Sequence, residues 1–231
     1  MPRKRDPGLL SKLIHTGLRK GLGQAYKTVQ IDQDKFLRQV RRSYGIPIVK
    51  WEDARFLDEA TLAAASRRII SSSSKTAALE GMGLGIGGFT TVVPDMGILS
   101  AITLRMLQKL SLMHGFEYST EEEQTALWVA VASAAGLDFT RDFVGKQAAE
   151  RLVPRIIDAV AVKLGAEVAE KWVGRIVPVV SAGVAATLNY YFVRSWGRRA
   201  QKHFLDRHRS RPAHPALTIG LAAKSPVRIG N

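Results

Sequence analysis

Apolar residues in this chain recur at spacings of three and four almost from end to end, and alternation of period two is scarce. This property argues against most sheet-based architectures. A half-buried strand needs every second residue apolar, whereas a helix needs one stripe per turn of about 3.6 residues. Leu9, Leu10, Leu13, Ile14, Leu18 and Leu22 form one such stripe, with Lys12, Arg19 and Lys20 off it, which predicts a basic amphipathic helix. A short helix is expected over Asp34 to Ser43, closed by the turn Gly45-Ile-Pro47, and another from Asp53 to about Ile70. The expected class is all-α: a compact bundle of small-residue-rich helices preceded by a basic amphipathic helical section.

The polar run Ser71-Ser-Ser-Ser74 reads as a linker or a helix start. It divides a basic N-terminal section, 1–74, from a helical core, 75–211; the tail, 212–231, with scattered Pro and Gly, is expected to be disordered or loosely docked. Small residues dominate after Lys75, among them Ala77, Ala78, Ala130, Ala132, Ser133, Ala134, Ser181, Ala182, Gly183 and Ala185. Such helices can approach one another closely. Helices are predicted over roughly 94–113, 120–136, 141–164 and 178–204. Pro94 and Pro178 suit first helical turns, where the missing N–H costs nothing. Pro154 lies inside a helical pattern and is expected to kink or divide it.

The net charge is +14, and its distribution is uneven. Residues 1–50 carry 12 Lys/Arg against 3 Asp/Glu, residues 194–231 carry 9 against 1, and the middle carries 13 against 16. Positive ends suit an anionic partner, either an acidic lipid surface or nucleic acid. The absence of cysteine excludes disulfides, thiol nucleophiles and thiolate metal sites. The N-terminus has no secretory pattern, because Lys12 and His15 break its apolar part, so a cytoplasmic location is expected.

Gly83-Leu-Gly85-Ile-Gly87-Gly88 satisfies the dinucleotide pattern G-x-G-x-x-G. That fingerprint also needs a preceding strand and an acidic residue about twenty positions on. Here SSSSKTAALEGM precedes it and Gln108-Lys109 stands where the acid belongs, so a nucleotide site is not expected. Gly81/Gly85 and Gly83/Gly87 instead form two overlapping G-x-x-x-G pairs, each able to clear a groove for a neighbouring helix. Residues 176–193 contain no charge and are followed by Arg194, Arg198, Arg199 and Lys202. Weakly apolar residues, Pro178 and Asn189 argue for shallow insertion or core burial rather than spanning; Asp95 argues the same for 82–104. Trp196, Phe204 and Leu205 are expected at an interface while the adjacent cations meet phosphates. Leu99, Ile102, Met106, Leu110 and Met113 predict one buried face, with Arg105, Gln108 and Lys109 off it. Glu121-Glu122-Glu123, after Ser119 and Thr120, reads as a capping box rather than an acid–base or metal cluster. No catalytic or metal-binding constellation is found, and no cofactor is expected.

The run GLGIGGFTTVVPDMGILSAITLRMLQKLSLMHGFEYSTEEE resembles the core of EcsC-type bacterial proteins, and GRIVPVVSAGVAATLNYYFVRSWGRRAQKHF resembles that family's second block. The matching positions are Gly85, Gly88, Pro94, Asp95, Arg105, Gly115, Pro178, Gly183 and Asn189, while His114 departs from the aromatic residue expected before Gly115. The resemblance implies an all-helical, membrane-associated bacterial protein and supplies no reaction. The family takes its name from a protein encoded beside an ABC transporter, which makes such a membrane protein a candidate partner. The expected function is peripheral attachment to the inner face of the cell membrane. Anionic lipids would be met by Lys12, Arg19, Lys20, Arg194, Trp196, Arg198, Arg199 and Lys202. The alternatives are a nucleic-acid-binding protein using its basic terminal arms, or a carrier or enzyme for a lipid or other apolar ligand.

Overall fold

The computed structural model describes residues 7–84, 92–139, 147–173 and 182–210. The described residues form an all-α bundle without strands. In chain order it comprises α1 (Pro7–Thr28), α2 (Gln33–Gln39) continuing into a π-helical turn (Val40–Tyr44), and a 3₁₀ turn (Trp51–Phe56). The long helices α3 (Glu59–Leu84), α4 (Val92–Met113), α5 (Glu121–Ala134), α6 (Gln147–Val173) and α7 (Ala182–Arg209) follow.

Local chemistry sets the ends of these helices. Asp32 caps α2 by accepting from the Lys35 N–H at 2.8 Å, and Asp58 caps α3 by accepting from the Thr61 N–H at 2.8 Å. The capping box opening α5 is present. Thr120 accepts from the Glu123 N–H at 3.2 Å, and Glu123 accepts from the Thr120 N–H at 3.0 Å. The turn at Gly115 is a Schellman closure: its φ is 74°, its N–H donates to Leu112 O, and the Phe116 N–H donates to Ser111 O. His114 takes the place of the expected aromatic residue, buried and stacked on Phe204 with ring centroids 5.7 Å apart.

Several expectations are corrected. Ser71–Ser74 is neither linker nor helix start but the interior of α3, so the division drawn at residue 74 falls within one helix. Ser66 and Ser74, both buried, return their hydroxyls to carbonyls four residues back, which lets polar residues face the core without breaking the helix. Of the α1 stripe, Leu18 and Leu22 are buried, with Ala25 and Val29 beyond them, on a helix that packs on α4 and α6, while the side chains of Leu9, Leu10, Leu13 and Ile14 lie outside the described residues. Pro154 does not divide α6, because it sits on the exposed face, where water can serve the carbonyl it deprives. Gln108 lies in the core and donates to Val29 O at 2.8 Å, while Ile102 is only partly buried. The start predicted at Pro178 and the tail 212–231 lie outside the described residues, and α7 is described from Ala182.

α4 is the central element, in contact with α1, α3 and α7 and buried on most of its circumference. Three helix contacts depend on missing side chains. A Cβ on Gly21 of α1 would lie 2.8 Å from Met96 O and 2.9 Å from Gly97 Cα of α4. One on Gly81 of α3 would lie 2.7 Å from Asn189 Nδ2 and 3.1 Å from the Ala185 backbone of α7. One on Gly197 of α7 would lie 2.7 Å from Ile70 Cγ1 and 2.9 Å from Met106 Sδ. Gly23, two residues from Gly21, has nothing within 4 Å of such an atom.

Two substitutions in one helix should therefore have opposite signs. Gly21→Ala is expected to destabilise by about 1–3 kcal/mol, because backbone rather than a mobile side chain must yield. Gly23→Ala should stabilise by about 0.5–1 kcal/mol through helix propensity. Urea denaturation of the two variants checks both values, and equal midpoints would contradict this packing.

Candidate functional site

α3 and α7 pack side by side in opposite directions. Gly81 faces Ala185 and Asn189, Gly197 faces Ile70, and Arg209 closes the far end on Glu59 with a two-pronged ion pair at 2.7 and 2.5 Å. Met106 of α4 meets the same Gly197, so the start of α4, like that of α7, lies toward the end where α3 finishes. Gly21 of α1 abuts Met96 and Gly97 near that end as well. The end of α3 and the starts of α4 and α7 thus lie toward one end of the bundle.

The outward faces of α3 and α7 change character along their length. On α3, Leu79 is 64% exposed and Met82 42% exposed near that end. Lys75, Ser72 and Arg68 follow on the same stripe at spacings of three and four. On α7, Tyr191 is 63% exposed, followed by half-buried Arg194 and exposed Arg198 and Lys202. The order is apolar then basic toward the N-terminus of α3 and toward the C-terminus of α7. Because the helices are antiparallel, both sequences run the same way in space. At about 1.5 Å rise per residue, Lys75 stands about 6 Å behind Leu79, and Arg198 about 10 Å behind Tyr191.

Midway along α3, Ala64, Arg67, Arg68, Ser71, Ser72 and Lys75 line a shallow groove, widely open to solvent, on one face of the helix. Arg68 is held there by donating to Ser43 O at 3.2 Å, with its guanidinium 5.5 Å from the Tyr44 ring centre. No carboxylate among the described residues pairs with Arg67, Arg68 or Lys75.

The structure distributes the sequence-predicted cations differently. Lys12 and Lys20 are exposed on α1, and Arg19 there is spent on Asp158 of α6 at 2.8 Å. Arg194 donates to the Tyr190 hydroxyl at 2.7 Å, and Arg199 to Ser195 Oγ at 3.2 Å. Arg198 and Lys202 are exposed. Trp196 is corrected: it is 1% exposed and stacked on Phe192, and Phe204 is wholly buried, so neither ring can reach an outside surface. Both lie on the inward stripe of α7 with Asn189, Val193 and Ala200, a periodicity the sequence already carried. The α1 and α7 cations do not form one face, since α4 lies between those helices.

Of the family-pattern positions, Asn189 is buried against Gly81, Gly115 closes α4, and Arg105 and Gly183 are exposed. Pro94 occupies the first turn of α4, as does the backbone of Asp95. Gly85, Gly88 and Pro178 lie outside the described residues, as does the Asp95 side chain. The segment before Gly83 is helical rather than a strand, which removes the context a dinucleotide fingerprint requires. Among the described residues no cluster of three or more His, Asp or Glu could hold a metal ion, and no helix is long and apolar enough to cross a membrane.

The EcsC protein family model matches residues 7–208. The chain belongs to the EcsC family. The match takes in α1 and crosses residue 74, in keeping with α3 running through that point and α1 packing on α4 and α6. Neither a curated protein nor a solved structure matches the chain. The residues that the EcsC resemblance did not point to are Arg67, Arg68, Ser71, Ser72, Lys75, Leu79, Met82 and Tyr191. Their signal is a regular outward stripe, hidden in α3 by the division at the serine run.

The basic segment of α7 also contains a pH-dependent element. Burial holds the His203 imidazole below its ordinary pKa, reinforced by the Arg207 cation and partly offset by Asp206. A depressed histidine stabilises the fold fully above its unfolded value, about 6.5, and that stability is lost as pH falls toward the folded value. Stability measured against pH should decline on acidification through this window, and His203→Gln should flatten the slope. An unchanged slope would show that His203 does not cause it.

Proposed function

We propose that this EcsC-family protein attaches peripherally to the inner face of the cell membrane. In this reading the end of the bundle carrying Leu79, Met82 and Tyr191 dips into the lipid interface. The supporting observation is the matched order of apolar and then basic residues on two antiparallel helices. An interfacial segment buries its apolar part about 5–10 Å deep and keeps its cations among the headgroups. The spacings from Leu79 to Lys75 and from Tyr191 to Arg198 fit that depth. This attachment differs in part from the one suggested by the sequence alone: helix ends make it, and the buried Leu18, Leu22 and Trp196 do not take part.

The physical balance is adequate. Full burial of a leucine or methionine contributes about 1.5–3 kcal/mol, and each cation near an anionic surface about 1 kcal/mol. Two or three partly inserted side chains with three or four cations give reversible, salt-sensitive binding. A nucleic acid would use the same cations but leaves the exposed Leu79, Met82 and Tyr191 without a role.

Co-sedimentation with phosphatidylcholine vesicles, with and without phosphatidylglycerol, tests the reading. Wild-type protein should pellet with the anionic vesicles and be released by salt. Leu79→Ser/Met82→Ser should weaken binding about tenfold, given the apolar area lost, and Arg198→Gln/Lys202→Gln by a similar factor. Indifference to the anionic lipid, or full binding by the serine variant, would overturn it.

A further inference from the structure

The α3 groove combines three cations with hydroxyl donors in a way that its structural surroundings do not require. Arg67 and Arg68 stand at one end and Lys75 at the other, about two helical turns apart, with Ser71 and Ser72 between them. Ser66, Ser74 and Thr76 of the same helix turn their hydroxyls back on backbone carbonyls at 2.7, 2.8 and 3.2 Å. Ser71 and Ser72 make no such bond among the described residues, so both hydroxyls remain available to the groove. Arg68 is fixed by Ser43 O and the Tyr44 ring and still has further N–H groups to offer. Its anchor is the end of the π-helical turn Val40–Tyr44, which fixes the guanidinium beside the groove.

We propose that this groove binds a phosphomonoester. Such a group carries close to two negative charges at neutral pH and three strong acceptor oxygens. It is matched by the planar, pre-positioned guanidinium of Arg68, the charges of Arg67 and Lys75, and two hydroxyl donors. A phosphodiester offers one charge and fewer free oxygens, so it gains less from the same donors. The groove is shallow and widely open to solvent, so an esterified substituent would meet no obstruction there. The group could belong to a lipid headgroup or to a soluble molecule. Only the lipid source rests on the membrane reading, with the headgroup held on the flank of α3 behind Leu79 and Met82.

Calorimetric titration with inorganic phosphate at fixed ionic strength measures the site directly. Vesicles of phosphatidylcholine carrying either phosphatidic acid or phosphatidylglycerol, matched in total charge, identify the source. Phosphate should bind wild-type protein, and more tightly as pH rises through its second ionisation. Arg67→Gln/Lys75→Gln should weaken phosphate binding at least about tenfold, and Ser71→Ala/Ser72→Ala about threefold. The serine variant introduces better helix formers and so keeps the fold. A preference for phosphatidic acid that disappears in both variants identifies a lipid. Phosphate binding without that preference identifies a soluble phosphomonoester, and it would survive even if every vesicle failed to bind. Absence of both, or phosphate binding unchanged in Arg67→Gln/Lys75→Gln, overturns the assignment, while vesicle binding through Leu79 and Met82 would then stand unaffected.

Discussion

Close helix approach at three glycines, against backbone at Gly21, backbone and side chain at Gly81 and side chains at Gly197, governs the rest of the structure. A helix pair held apart by side chains can slide by a turn and still bury similar area, whereas a contact that admits no methyl group is satisfied at one register only. Gly21 seats α1 on the first turns of α4, and Gly81 and Gly197 seat α3 on α7. The Arg209–Glu59 pair marks the far end of the same register. Being exposed, it adds little energy but agrees with the alignment the glycines impose. That alignment brings Tyr191 alongside the last turns of α3. A slip of one turn would move it by about 5.4 Å, comparable to the whole separation between Leu79 and Lys75.

The helical class, most helix positions and the α5 cap were legible because each rests on local periodicity or on residues a few positions apart. The G-x-x-x-G reading was legible in part: Gly81 does open a groove for a partner helix, while Gly85 and Gly87 lie outside the described residues. Ser71–Ser74 misled because serine has two physical roles that composition cannot separate. It solvates a loop, or it satisfies itself against its own helix, and Ser66 and Ser74 do the latter. Trp196 misled for a related reason. An aromatic residue beside cations suggests an interface, but on a helix with two faces the neighbours in sequence are not neighbours in space. Gln108 shows the same limit: only the tertiary acceptor at Val29 O explains why an amide sits in the core.

The charge distribution shows how far a segment sum can mislead about a site. The ends of the chain hold the whole surplus of positive charge, and the middle, which contains the groove, is net negative. Yet several terminal cations are engaged in structure: Arg19 with Asp158, Arg209 with Glu59, Arg194 with Tyr190, and Arg207 over Phe116 at 4.3 Å. The two carboxylate pairs offset the charge of Arg19 and Arg209, whereas Arg194 and Arg207 keep their charge and give up only part of their freedom. At physiological salt a phosphate senses charges within about 8 Å, so local arrangement outweighs the tally of the segment. Arg67, Arg68 and Lys75 share one short stretch of α3 without a paired carboxylate among the described residues, while several of the acidic residues that cancel them in the count cap helices elsewhere, as Asp53, Asp58 and Glu123 do. Around the groove, then, charge is separated locally: three cations gather on one outward stretch of α3, while Asp53, Asp58 and Glu123 are held at helix starts. This separation gives a chain with a weakly acidic middle a strongly cationic groove.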